Sequence, residues 1–174
     1  MPTSLASLNA CDRAGFVSAL GPLFEHSPWV ADETYPRRPF RDSDALFAAL
    51  CATMRGASAA RQLELLHAHP DLAGRLAKAG ALTESSTREQ SAAGLDRLSV
   101  AESEEIGRLN VAYRVRFGFP FIICARLNAK DAILASMRSR VSNDAGAELS
   151  IALGEVEKIA RLRLNEALGE KAAP

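Results

Sequence analysis

Apolar residues in this chain recur every three or four positions and almost never alternate. That habit confines the chain to helices, because successive helical residues rotate by about 100° and successive strand residues by about 180°. Residues 12–25 carry Phe16, Leu20 and Phe24 one turn apart, with Pro22 placed to bend or break the helix. Residues 26–42 hold three prolines and read as a long irregular connection. Ser43 is placed to cap a helix bearing Leu46, Phe47, Leu50 and Met54, and Ser58 one bearing Leu63, Leu66 and His67, with Gly56 between them. Ser86 with Glu89, and Ser99 with Glu102, have capping-box spacing. The second pair opens a helix expected to reach Gly118 with Ile106, Leu109, Tyr113 and Phe117 inward. FPFIICA, residues 119–125, is too short to read by period and fits an extended or irregular buried segment. Asn128 stands where it could cap a helix carrying Ile133, Leu134, Met137 and Val141. Residues 147–168 are the most periodic, with Leu149, Leu153, Val156, Ala160 and Ala167 in one stripe and Arg163 inside it. An arginine there snorkels outward, pairs with an acid or faces an anion, and snorkelling is the default. The expected fold is all-α, a single-domain compact helical bundle over residues 1–174 with irregular connections.

Composition limits what such a bundle can do. At 174 residues the chain suits one buried core. Its 21 basic and 21 acidic residues cancel, which weighs against binding nucleic acid or an anionic membrane and favours a small, locally recognised ligand. No apolar run approaches a membrane span and the start lacks signal-peptide character, so the expected location is soluble and cytoplasmic. The ending EKAAP is no peroxisomal address. Cys11, Cys51 and Cys124 are odd in number and far apart, which argues against disulfides and thiolate metal sites and for small, buried apolar residues.

The stretch LLHAHPDLAG, residues 65–74, places two of the three histidines two apart. His67 follows Leu63 by one turn and is expected to pack on that face. His69 precedes Pro70, which disfavours helix at His69, so its imidazole should project from the junction where the helix ends. Histidine titrates near neutrality, and such a junction suits a general acid or base. Metal binding is not expected, since histidines two apart converge on an ion from a strand rather than a helix tail. Neither a nucleophile elbow nor a glycine-rich phosphate loop is present. Ser86 and Glu89 are fully accounted for, on local grounds, by a capping box.

Four fragments in register, HPDLAGRLA, LTESSTREQSAAGLDRLS, LNVAYRVRFGFPFIICA and ALGEVEKIARLRL, together resemble the 2-oxo-4-hydroxy-4-carboxy-5-ureidoimidazoline decarboxylases of purine catabolism. SPWVADETYPRRPF extends the likeness over about residues 9–168. The resemblance implies a cofactor-free and metal-free homodimer that decarboxylates the ureidoimidazoline to (S)-allantoin in urate degradation. It also implies site residues: His69, Glu89 and Arg163 as catalytic groups, and Pro70, Ser86, Gln90, Phe119, Phe121, Ile122, Ile123, Cys124 and Ala125 as substrate-binding ones. A second possibility is a non-enzymatic helical interaction module, using exposed aromatics around Trp29, Tyr35 and Phe40. A helix-turn-helix DNA binder, prompted by RRPFR, is a third, and the balanced charge weighs against it.

Overall fold

The computed structural model describes residues 4–74 and 80–170. The last part of HPDLAGRLA, residues 75–77, and the final AAP lie outside the described residues. Among the described residues there are nine α-helices and no strand, so the protein is all-α. The chain divides into two compact units, Met1–Ala68 with Val156–Pro174, and His69–Glu155.

The first unit contains α1 (Leu5–Ala10), α2 (Arg13–Leu20), α3 (Trp29–Thr34), α4 (Ser43–Gly56) and α5 (Ala59–His67). It also holds the C-terminal part of α9 (Ala145–Leu168), within which the division falls. Pro22 breaks the periodic run as expected: α2 stops at Leu20 and a 3-10 turn, Gly21–Leu23, takes over. The irregular connection expected over 26–42 instead contains α3 and a second 3-10 turn, Tyr35–Arg37. Pro28 is no obstacle there, because it sits at the N-cap, ahead of the helical hydrogen bonds a proline would break. The Thr34 hydroxyl donates back to Val30 C=O and lies 2.8 Å from that of Thr53 on α4, which docks the short helix.

Four other expectations in this unit change. Asp42, not Ser43, caps α4, its carboxylate accepting from Ala45 N–H at 2.7 Å. His67 is exposed, because α5 buries Leu65 and Leu66 and turns Leu63 and His67 outward. The aromatic cluster is not an open surface: Phe40 is buried, Phe16 packs against both Tyr35 and Phe40, and the Arg61 guanidinium covers Trp29 at 4.0 Å. Arg38 of RRPFR donates to the carbonyls of Leu8, Asn9 and Cys11, satisfying the open end of α1 rather than meeting a polyanion.

The second unit contains α6 (Glu84–Ala92), α7 (Val100–Phe117), α8 (Lys130–Arg140) and the start of α9. The capping box of Ser99 and Glu102 opens α7 as its spacing requires. Gly118 closes it at φ 78°, a left-handed turn that glycine adopts without strain. Ile106 and Tyr113 are buried, whereas Leu109 and Phe117 are only half-buried, because Asn110 takes the inner position between them. Tyr113 packs against Phe117, Phe119 and Phe121. Ion pairs from Glu102 to Lys130 and from Arg138 to Glu105 join α7 to α8. Asn128 does not cap α8; its amide donates to Cys124 C=O, and Ala129 holds the cap position without a side-chain bond.

Candidate functional site

Three stretches singled out by sequence meet within the second unit. The first begins with His69, buried, and Pro70, half-buried. It continues through Ala73, whose φ of 45° is a left-handed conformation that costs a non-glycine residue about 1–3 kcal/mol. Side chains from the helices hold that turn: Gln90 Oε1 accepts from Ala73 N–H at 2.9 Å, Asn110 Nδ2 donates to Leu72 C=O at 3.0 Å, and Arg114 pairs with Asp71 at 2.8 Å.

The second stretch is the inner face of α6. Its cap is Thr83, whose hydroxyl accepts from Ser86 N–H, so Ser86 and Glu89 do not form the expected capping box and both lie inside the helix. Ser86, Glu89 and Gln90 fall on one face at three- and four-residue spacing, with Ser86 and Gln90 buried. Gln90 commits its oxygen to Ala73, which leaves its NH2 group to act as a donor.

The third stretch is 119–125, irregular and buried throughout, ending in a 3-10 turn at Ala125–Leu127 against which α6 packs. Ile122 C=O accepts from Arg140 Nη1 at 2.9 Å, and Cys124 N–H donates to Glu155 Oε2 at 2.8 Å. Among the described residues, the N–H and C=O of Phe121 and Ile123 have no protein partner. Buried main-chain groups demand partners, so this stretch offers donors and acceptors to a ligand or to water. Burial pushes the Cys124 thiol up, and the Glu155 and Glu89 carboxylates push it the same way. Glu89 therefore stands within electrostatic reach of the third stretch. A neutral thiol there packs rather than attacks.

A buried ionic network supports this segment from α8 and α9. Glu148, fully buried, accepts from the Tyr113 hydroxyl, from Arg140 at 2.8 and 2.5 Å, and from Asn143 at 2.7 Å. Arg140 also lies 4.3 Å over the Phe121 ring. Burial and the Glu148 carboxylate hold the Tyr113 hydroxyl protonated far above its usual range.

Arg163 belongs to the first unit. Rather than snorkelling it is buried, pairing with Glu25 at 3.0 Å and donating to Pro22 C=O at 3.3 Å. A buried pair of this kind fixes the guanidinium's orientation. Among the described residues, no three His, Cys, Asp or Glu side chains cluster so as to hold a metal ion.

Comparison with known proteins assigns these three stretches a common context. The family model described as OHCU decarboxylase matches residues 9–165. The chain belongs to the OHCU decarboxylase family. A Haloferax volcanii protein named 2-oxo-4-hydroxy-4-carboxy-5-ureidoimidazoline decarboxylase is 44% identical over 163 residues, covering 94% of this chain and 95% of its own. The crystal structure of an (S)-allantoin synthase superposes with a TM-score of 0.78 at 32% identity over 96% of this chain, which spans about half (54%) of that one. A crystal structure of OHCU decarboxylase in the presence of (S)-allantoin gives a TM-score of 0.69 at 25% identity, over 92% of this chain and all (100%) of that one.

Membership of the OHCU decarboxylase family does not favour the interaction-module reading. Four buried charged residues escaped the sequence reading: Glu25, which pairs with Arg163 in the first unit, and Arg140, Glu148 and Glu155 in the second. The only signal that could have found the last three is charge inside apolar helical stripes, the feature that drew attention to Arg163.

Proposed function

We propose that this chain catalyses the decarboxylation of 2-oxo-4-hydroxy-4-carboxy-5-ureidoimidazoline to (S)-allantoin, as a carboxy-lyase of urate degradation. The observation that carries the proposal is a family match running through His69, the α6 face and the 119–125 segment, three stretches that come together in one unit.

The chemistry suits these residue types. Breaking the bond between the ring carbon and its carboxylate releases CO2, and the electron pair passes into the adjoining C=N, so the ring is its own electron sink. The ring nitrogen that receives the pair takes a proton, the hydroxyl gives up its own as its carbon becomes a carbonyl, and the neighbouring carbon takes a proton on one face and becomes the stereocentre. His69 manages the hydroxyl or ring proton and helps protonate the product carbon. Glu89 holds the hydroxyl or orients His69. Ser86 and Gln90 hydrogen-bond the ureido and ring amides, with the Gln90 NH2 directed to a carbonyl. Pro70 shapes the turn that presents His69. Phe119, Phe121, Ile122, Ile123, Cys124 and Ala125 line the ring, and the open main-chain groups of Phe121 and Ile123 read its edge. Arg163, oriented by Glu25, meets charge that develops as CO2 leaves, since gripping the carboxylate itself would stabilise the ground state.

The whole chain is read as one functional domain because the family match crosses both units. It acts in the cytoplasm as a homodimer. No helix among the described residues is long and apolar enough to cross a membrane. Val100, Val111 and Val115 lie exposed on one face of α7 with Glu104 and Arg108, a strip with opposite charges that suits a second copy packed antiparallel.

The test is to generate the ureidoimidazoline in situ from urate and follow the circular dichroism of the product. The proposal expects rapid formation of product with the dichroism of authentic (S)-allantoin. An achiral trace with unchanged substrate lifetime would refute it.

A further inference from the structure

We propose that Glu155 is a positioning residue for the decarboxylation, acting through the Cys124 amide to aim the main chain of Ile123 at the substrate ring; this rests on the decarboxylase reading above. Glu155 is buried, and its Oε2 accepts the Cys124 N–H at 2.8 Å. The peptide between Ile123 and Cys124 is trans, since the described cis bond is that between Arg38 and Pro39. In a trans peptide the N–H and C=O point in opposite directions. A carboxylate that draws the Cys124 N–H to itself therefore sends the Ile123 C=O the other way.

Arg140 does the corresponding work one peptide earlier. Its Nη1 holds Ile122 C=O at 2.9 Å, which directs the Ile123 N–H away from the guanidinium. A buried cation and a buried anion thus fix the two peptide planes that flank Ile123. The groups they turn outward, Ile123 N–H and C=O, are ones that have no protein partner among the described residues. They are a donor and an acceptor on one residue, the pair of group types that the C=O and N–H of a cyclic urea or amide require.

Burying a carboxylate in this position costs free energy that an apolar side chain would not. Fixing a loop that has no regular structure of its own is the return on that cost. Glu155 touches no reacting atom in this scheme, and its effect is carried wholly by the orientation of the Ile122 to Cys124 backbone.

The test compares Glu155→Ala and Glu155→Gln in the full chain, with Glu155→Asp, too short to reach the amide, carrying the same expectation as Glu155→Ala should that variant fail to fold. Glu155→Ala is expected to lower kcat/KM by about 10- to 100-fold and to erode the optical purity of the allantoin formed. Glu155→Gln keeps a carbonyl acceptor and is expected to stay within about threefold of the parent. Hydrogen exchange at the Cys124 amide should be slow in the parent and in Glu155→Gln, and fast in Glu155→Ala. A folded Glu155→Ala with parental kcat/KM and optical purity would overturn the role alone. So would a Glu155→Gln as impaired as Glu155→Ala with its Cys124 amide still protected. A parent chain that forms no optically active product overturns the decarboxylase reading, and the role with it.

Discussion

Replacing Glu148 by Gln perturbs the most heavily bonded buried group near the candidate site. The carboxylate accepts two bonds from Arg140, one from Tyr113 and one from Asn143, while both it and Arg140 are buried. The glutamine keeps the shape but removes the charge, and its NH2 group faces donors that previously met an oxygen. Arg140 is then a buried cation without its anion, and breaking such a pair costs about 3–5 kcal/mol. For a chain of this length each kcal/mol lowers Tm by about 2–4 °C, so the expected fall is roughly 6–20 °C. Thermal unfolding followed by far-ultraviolet circular dichroism measures it. A second variant separates charge from packing: Arg140→Met with Glu148→Leu removes both ions and should recover most of the lost stability. It should not recover activity, because Ile122 C=O loses its donor. A Glu148→Gln Tm within about 2 °C of the parent would refute the reasoning, since it would mean the network contributes less than about 1 kcal/mol.

Two further outcomes follow from groups with shifted titration. The Lys130 ammonium, with the Ser99 amide and hydroxyl, holds Glu102 down to about 2 from its ordinary 4.5. A depressed carboxylate adds stability that is fully present above its unfolded pKa and disappears as pH falls through the folded one. Glu102→Gln should therefore lower Tm modestly near neutrality, where salt partly screens the half-buried pair, and the difference from the parent should vanish as pH falls from about 4.5 to about 2. Burial, with Glu157 beside it, pushes the Cys51 thiol up to about 12, so at pH 8 only about one molecule in ten thousand carries the thiolate. Native protein treated with iodoacetamide at pH 8 should leave Cys51 unmodified by peptide mass mapping, and rapid labelling would contradict that environment.

The helices were legible because their burial follows one period. The run from 147 to 168, the capping box at Ser99 and Glu102, and the stop at Gly118 are all local signals that tertiary structure leaves intact. What sequence missed depends on which of several adequate residues the fold selects. Asp42 and Ser43 both suit a helix cap, as do Thr83 and Ser86, and the earlier residue holds the position in each case. That choice matters most at α6, where Thr83 takes the cap and Ser86 and Glu89 lie within the helix instead of forming a capping box. The α3 helix was hidden because its prolines sit at its ends, where they are harmless. At the candidate site, the residues that face a ligand drew attention through their setting or through family likeness. Those that hold them in place did not: an acid that binds a main-chain amide 31 residues away, as Glu155 does at Cys124, has no local pattern.

The most direct test of the central claim is the rate at which His69→Gln forms optically active allantoin, at the same concentration of folded protein as the parent. An imidazole that carries the acid/base step should take about 10²- to 10⁴-fold of the rate with it, while the far-ultraviolet spectrum stays unchanged. A folded His69→Gln that makes one hand of allantoin at nearly the parental rate would contradict the account.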